Sequence, residues 1–157
     1  AILFRYKLTG VEATSLLAQG LAPLLRVGDL IALKGDLGVG KTTFARALIF
    51  ALGAPDTEVP SPSYTLVQNY QGIAVDIWHF DLYRLKSPKE ALELGIDEAI
   101  HDGIVLIEWP ERLGMVTQSG GLEIAFEYTA DEHTRCVAFN ATSGWADRLL
   151  DLTYNDS

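Results

Sequence analysis

Hydrophobic residues recur along this chain at two periods. Leu16, Leu17, Leu21 and Leu24 fall on roughly one stripe at helical spacing. That spacing predicts a helix from Val11 to about Leu25, with Thr9 and Glu12 as a capping box and Pro23 bending or ending it. Gly28 and Asp29 read as a turn, and the short apolar run Leu30 to Leu33 as a buried strand. Lys41 to Leu52 reads as a second helix, stopped by Gly53 and Pro55. Tyr64 to Tyr70 and Ile73 to Phe80 flank Gln71-Gly72, the pattern of a hairpin. Ser87, Pro88 and Glu90 carry the cap, first-turn proline and capping box of a third helix, ended by Gly95. Ile104 to Ile107 is another short apolar strand. Leu122, Ile124, Phe126 and Tyr128 alternate with Glu123, Ala125 and Glu127, which predicts a strand with one wet face. Cys136 to Phe139 is its expected antiparallel partner, and Trp145 to Leu152 a final helix. Nothing reads as a linker, a repeat or a low-complexity run. The mixed order predicts one domain over 1–157, a sheet with helices on both faces.

Composition narrows the function. Of 157 residues, 48% are apolar and 21% charged, which is globular rather than disordered. Twelve basic against 21 acidic residues give a net charge of −9, so unaided tight DNA or RNA binding is not expected. The single cysteine, Cys136, allows no internal disulfide and fits a reducing compartment. The apolar runs fall far short of the roughly 20 residues that span a bilayer, and no signal peptide is visible, so no membrane role is expected.

The chemistry is concentrated between the first strand and the helix that follows it. Gly35-Asp36-Leu37-Gly38-Val39-Gly40-Lys41-Thr42 satisfies G-x-x-x-x-G-K-[ST] in full. Glycines let successive backbone N–H groups curl toward phosphate oxygens, and the helix aims its positive end at the same anions. Lys41 is expected to reach the β- and γ-phosphates, and the Thr42 hydroxyl to bind Mg2+. At this composition a chance match is a roughly one-in-200 event. The loop turns the fold expectation into α/β of the P-loop NTPase type. That is a three-layer α/β/α sandwich around a mixed sheet, with a parallel core and antiparallel edge strands.

Such a loop works with an acid at the end of a neighbouring strand. Asp81 follows Ile77-Trp-His-Phe80, and Glu108 follows Ile104-Val-Leu-Ile107. One can hold the metal while the other positions water. The plainer readings are an ion pair of Asp81 with Arg84 and a solvated strand end at Glu108. Asp76 lies an odd number of residues from Asp81, hence on the opposite strand face. Ser61, Ser63 and Thr65 fit either a γ-phosphate sensor or proline-stiffened turns. Trp109 fits either a site wall or the core, and His79 and His101 read as structural or exposed. No His/Cys pair has zinc-ligand spacing. The base-reading Asn-Lys-x-Asp segment of GTPases is missing, which favours ATP.

Five blocks also occur in a recognisable order. They are Gly35-Asp-Leu-Gly-Val-Gly-Lys-Thr-Thr43-Phe, Ser61-Pro-Ser-Tyr-Thr-Leu-Val67, His79-Phe-Asp-Leu-Tyr-Arg-Leu85, Glu93-Leu-Gly-Ile-Asp97 and Leu106-Ile-Glu-Trp-Pro-Glu111. Over about residues 9–140 the chain resembles the bacterial TsaE (YjeE) family of tRNA threonylcarbamoyladenosine biosynthesis ATPases. The resemblance implies a weak cytoplasmic ATPase that uses ATP and Mg2+. It implies binding to a TsaB–TsaD heterodimer and hydrolysis that resets that machine while tRNA adenosine beside the anticodon is modified. It implies nucleotide contacts over Gly35–Thr43, catalytic roles for Lys41, Asp81 and Glu108, a metal set of Thr42, Asp81 and Glu108, and a functional Trp109. Thr14 and Arg135 resemble further nucleotide-contacting positions. Val39 replaces the usual alanine and is expected to add bulk beside the phosphates, and Ser63 replaces a common threonine. A small-molecule or nucleoside kinase shares the loop, but needs a lid of arginines that seven scattered Arg residues do not supply. A non-hydrolysing nucleotide-dependent binding module is the third reading.

Overall fold

A computed structural model describes residues 2–54, 67–112, 121–141, 143–152 and 154. Its strands are β1 (Ile2–Thr9), β2 (Leu30–Lys34), β3 (Val67–Gln71), β4 (Asp76–Asp81), β5 (Gly103–Glu108), β6 (Leu122–Tyr128) and β7 (Thr134–Ala141). Its helices are α1 (Gly10–Leu21), α2 (Lys41–Ala51), α3 (Pro88–Glu93), α4 (Ile96–Asp102) and α5 (Ser143–Leu149). The strands form one seven-stranded sheet in the order β1-β7-β6-β2-β5-β4-β3. β6, β2, β5 and β4 are mutually parallel, whereas β3, β7 and β1 pair antiparallel toward the two edges. This is the mixed α/β sheet expected, with its parallel centre and antiparallel flanks.

Alternation along the central strands divides the core in two. Ile31, Leu33, Ile77, Ile104, Leu106, Leu122 and Ile124 join the buried faces of α1, α2 and α5. Val105, Ile107 and Phe80 point the other way and pack with Ala99 of α4, Leu82 and Leu85. β5 is buried along its whole length because helices cover it on both sides. The same parity puts Ile77, His79 and Asp81 on the α2 side of β4, and Asp76 on the other side.

Several expectations about the elements need correction. β1 was not anticipated, although Phe4, Tyr6 and Leu8 alternate with Arg5 and Lys7 in the manner of an edge strand. The capping box at Thr9 does not form. Gly10 turns the chain at φ 81° and donates its N–H to the His133 carbonyl, while the Thr9 hydroxyl lies 3.4 Å from that of Thr134. Pro23 does end α1, inside a single 3₁₀ turn over Ala22–Leu24. The hairpin pairs Gln71 with Asp76, so its connection is the longer 72–75 loop, closed by a bond from Gly72 N–H to the Val75 carbonyl. Gly95 ends α3 but, at φ 77°, also opens α4, a helix the sequence reading omitted.

The end of the sheet away from the glycine loop is tied by ion pairing. Arg148 of α5 places its two amino nitrogens 2.7 and 2.9 Å from the two carboxylate oxygens of Asp29, donates to the Leu24 carbonyl at 2.7 Å and stacks on Trp145. A forked contact of this kind fixes direction as well as distance.

Candidate functional site

The carboxyl ends of β2, β5 and β4 lie side by side. In a parallel sheet this is the edge where ligands bind, because loops leave it toward helices whose N-termini face the same crevice. The glycine loop joins β2 to α2. It curls through three left-handed positions, Gly35 (φ 143°), Gly38 (φ 77°) and Gly40 (φ 122°). At Gly35 a methyl group would also stand 2.7 Å from the Phe126 carbonyl and 2.8 Å from Val39 Cγ1, so no side chain fits. Val39 departs from expectation: it is 1% exposed and packs in the core cluster, so its side chain turns away from the cleft.

Two residues from the β6–β7 hairpin grip the loop from outside. Tyr128 donates its hydroxyl to the Leu37 carbonyl at 2.7 Å, and Arg135 donates Nε–H to the Val39 carbonyl at 3.2 Å. The Arg135 guanidinium lies 4.6 Å from the centre of the Tyr128 ring. In a planar trans peptide the carbonyl and the following N–H point in opposite directions. Carbonyls held on the outside therefore turn the N–H groups of Gly38 and Gly40 toward the cleft. Arg135 thus sits at the loop, on its backbone, although residue pattern alone read it as an edge charge.

The cleft measures about 190 Å³ and is lined by Leu37, Gly38, Gly40, Lys41, Thr42, Thr43, Asp81, Tyr83, Glu108 and Trp109. This is below the roughly 300–1,000 Å³ of sites that engulf a whole small molecule. Lys41 is 4% exposed, its ammonium donating to the Gly35 carbonyl and lying 3.6 Å from the centre of the Trp109 ring. Burial pushes its pKa below the ordinary lysine value, while the negative charges of Glu108, Glu111, Asp81 and Asp36 pull it back up.

Asp81 and Glu108 are register partners on adjacent parallel strands, so both carboxylates emerge from the same face. Both are nearly inaccessible, at 6% and 2% exposure, which sets aside a solvated strand end for Glu108. Thr42 donates its hydroxyl to Glu108 at 2.8 Å (Oε1) and 3.1 Å (Oε2). Asp81 Oδ1 accepts the Tyr83 N–H at 3.1 Å, a local turn that aims the carboxylate back over the sheet. Arg84 is exposed and does not line the cleft.

Trp109 follows Glu108 directly and is the one non-glycine among the described residues with positive φ, at 62°. For a bulky residue that conformation costs on the order of 1–3 kcal/mol. Its N–H donates to the Leu33 carbonyl at 3.3 Å, and its ring lies 4.9 Å from that of Tyr83. Tyr83 and Trp109 thus form an aromatic side of the cleft.

Other expected positions fall elsewhere. Thr14 is buried on the α1 face with Leu17, Ala18 and Leu21, and does not line the cleft. Gly35 and Asp36 form the base of the loop. Ser61, Ser63 and Thr65 lie outside the described residues. Of the two expected readings, structural or exposed, His79 is not the exposed one: it is wholly buried, with Nε2 2.7 Å from Glu108 Oε2. Its position two residues before Asp81 put it on the same strand face, but the contact with Glu108 depends on the β4–β5 register. His101, by contrast, is exposed.

Comparison with known proteins adds descent to this geometry. The family model described as threonylcarbamoyl adenosine biosynthesis protein TsaE matches residues 8–137. The tRNA threonylcarbamoyladenosine biosynthesis protein TsaE of Rickettsia felis is 41% identical over 145 residues, which cover 92% of this chain and 84% of that protein. Its Bacillus subtilis namesake is 30% identical over 94% of this chain and 91% of its own. The crystal structure of Bacillus subtilis YdiB superposes with a TM-score of 0.79 at 28% identity, covering 96% of this chain and 93% of the other. With the family model spanning most of the chain and these relatives aligned nearly end to end, the chain belongs to the TsaE family of tRNA threonylcarbamoyladenosine biosynthesis proteins.

Proposed function

We propose that this protein binds ATP with its phosphates over Gly38–Thr43 and hydrolyses it in the service of tRNA threonylcarbamoyladenosine formation. The observation that carries the reading is the contact of Thr42 with Glu108, beside Asp81 and beneath a glycine loop whose lysine is already in the cleft. The loop amides and Lys41 bind and orient the phosphate chain, and α2 adds its positive end. Asp81 or Glu108 accepts a hydrogen bond from the attacking water and holds it in line with the γ-phosphorus. The catalysis is positioning and charge neutralisation, with no covalent intermediate on the protein.

The donor set fits Mg2+. Thr42 Oγ1 and the two carboxylates are hard oxygen ligands, and no group of three or more His, Cys, Asp or Glu among the described residues forms a cage of its own. Mg2+ favours such sites, held by one or two carboxylates together with substrate phosphates. Thr42, Asp81 and Glu108 would hold it, and it would supply positive charge to the β- and γ-phosphate oxygens.

The TsaB–TsaD pair is the proposed partner, and the cytoplasm the proposed location. Among the described residues no helix is long and apolar enough to cross a membrane. The described residues lining the cleft include no arginine, which supports reading this chain as weak in isolation and completed by a partner. The test is ATP hydrolysis by the purified chain with and without TsaB–TsaD. Strong stimulation supports the reading. Absence of stimulation, with tRNA modification also independent of this chain, overturns it. Faster ATP consumption with small hydroxyl acceptors would favour a kinase.

A further inference from the structure

His79 is the most deeply buried ionisable side chain beside the cleft, and the mechanism above makes no use of it. It lies on the α2-facing side of β4, two residues before Asp81. Its Nε2 is 2.7 Å from Glu108 Oε2, and the two side chains are 0% and 3% exposed. Among the described residues nothing lies within hydrogen-bonding distance of its Nδ1.

Glu108 accepts from the Thr42 hydroxyl through both oxygens. The tautomer with its proton on Nε2 is the one that makes the short contact to Glu108 a hydrogen bond. A glutamate at a strand end has a long side chain free to swing toward solvent. Here the imidazole, itself locked in the core, pins one oxygen from below while Thr42 meets both from the loop side. Outer partners of this kind orient a metal-binding carboxylate, and removing one typically weakens metal affinity 10–100-fold.

We infer that His79 is a positioning residue for the cation site: its Nε2–H holds Glu108 in the orientation that, with Thr42, receives the divalent ion accompanying the nucleotide. This rests on the reading of Thr42 and Glu108 as metal-binding groups. His79 itself touches neither nucleotide nor metal, and its effect reaches them through one hydrogen bond.

Chain length gives an atom-specific test. In glutamine the amide nitrogen is as many bonds from Cβ as histidine Nε2, whereas the asparagine nitrogen corresponds to Nδ1. His79→Gln therefore restores the donor that faces Glu108, and His79→Asn does not. The experiment titrates Mg2+ against binding of a fluorescent non-hydrolysable ATP analogue to the full chain, with a parallel series in EDTA and thermal melting of each variant. His79→Asn and His79→Leu are expected to raise the half-saturating Mg2+ concentration about 10–100-fold. His79→Gln should recover most of the loss, and affinity in EDTA should stay within about twofold of the parent for all three. An unchanged Mg2+ requirement in His79→Asn, or equal losses in the Gln and Asn variants, would overturn the inference and leave His79 a packing residue. If the parent chain binds the analogue without any response to Mg2+, it is the metal reading of Thr42 and Glu108 that fails.

Discussion

Replacing Tyr128 by phenylalanine removes a single oxygen from the outer grip on the glycine loop. The ring remains, and with it the stacking of Arg135. What is lost is the 2.7 Å bond to the Leu37 carbonyl, the bond that turns the Gly38 N–H toward the cleft. A neutral hydrogen bond contributes about 0.5–1.5 kcal/mol net. Tyr128 is half-exposed, so water can replace the phenol and the lower part of that range applies, about 0.5–1 kcal/mol. If all of it appears as lost loop order, triphosphate binding weakens about two- to fivefold. Titration calorimetry with ATP measures this directly. Pyrophosphate used as a competitor should show the same factor, because the defect lies in the phosphate cradle and not at the base. An unchanged affinity for both ligands would refute the argument that the hairpin orients the loop peptides. So would a loss seen with ATP and absent with pyrophosphate.

Further outcomes follow from the same geometry. Lys41→Met should abolish triphosphate binding yet leave the melting temperature equal or higher, because it removes a desolvated ammonium; a fall of several degrees would mean that Lys41 is mainly structural. Since burial lowers the Lys41 pKa, the ammonium is lost below the ordinary lysine range, and ATP affinity should fade as pH rises toward 10.5. A flat affinity profile across that alkaline range would contradict this. Asp81→Ala and Glu108→Ala should keep the fold and lose Mg2+-dependent turnover, so an acid whose removal leaves the kinetics unchanged plays no part in hydrolysis. Asp29→Ala strands Arg148 in a largely buried setting, which typically costs about 3–5 kcal/mol. At about 2–4 °C per kcal/mol for a chain of this size, its melting temperature should fall by roughly 6–20 °C with nucleotide affinity preserved.

The glycine loop, its lysine and its hydroxyl were legible because the chemistry demands those residue types in unbroken sequence. Asp81 and Glu108 were legible as strand ends. Their pairing was not, since it depends on which strand of the sheet neighbours which. The same holds for Tyr128 and Arg135: a hairpin far along the chain reaches Leu37 and Val39 only because β6 lies beside β2. His79 looked ordinary because a histidine in an apolar run usually is, and only the register brings Glu108 to it. The positive φ of Trp109 has no signal in composition, as tryptophan has no preference for that conformation. β1 shows in the sequence only as Phe4, Tyr6 and Leu8 alternating with Arg5 and Lys7, a short signal without turn residues before it.

The pairing of β1 with β7 has a bearing on how the molecule is made. β1 finds its partner across 125 residues, Thr9 against Thr134. At roughly 5–20 residues per second, a ribosome needs on the order of 6–25 s to deliver that partner after β1 has been synthesised. During that interval β1 lacks the strand it pairs with. Arg5 and Lys7, which face away from the core, then act as guards against premature association with other nascent chains. A chain interrupted before residue 134 would carry the glycine loop without the outer grip of Arg135 and β1 without the strand it pairs with.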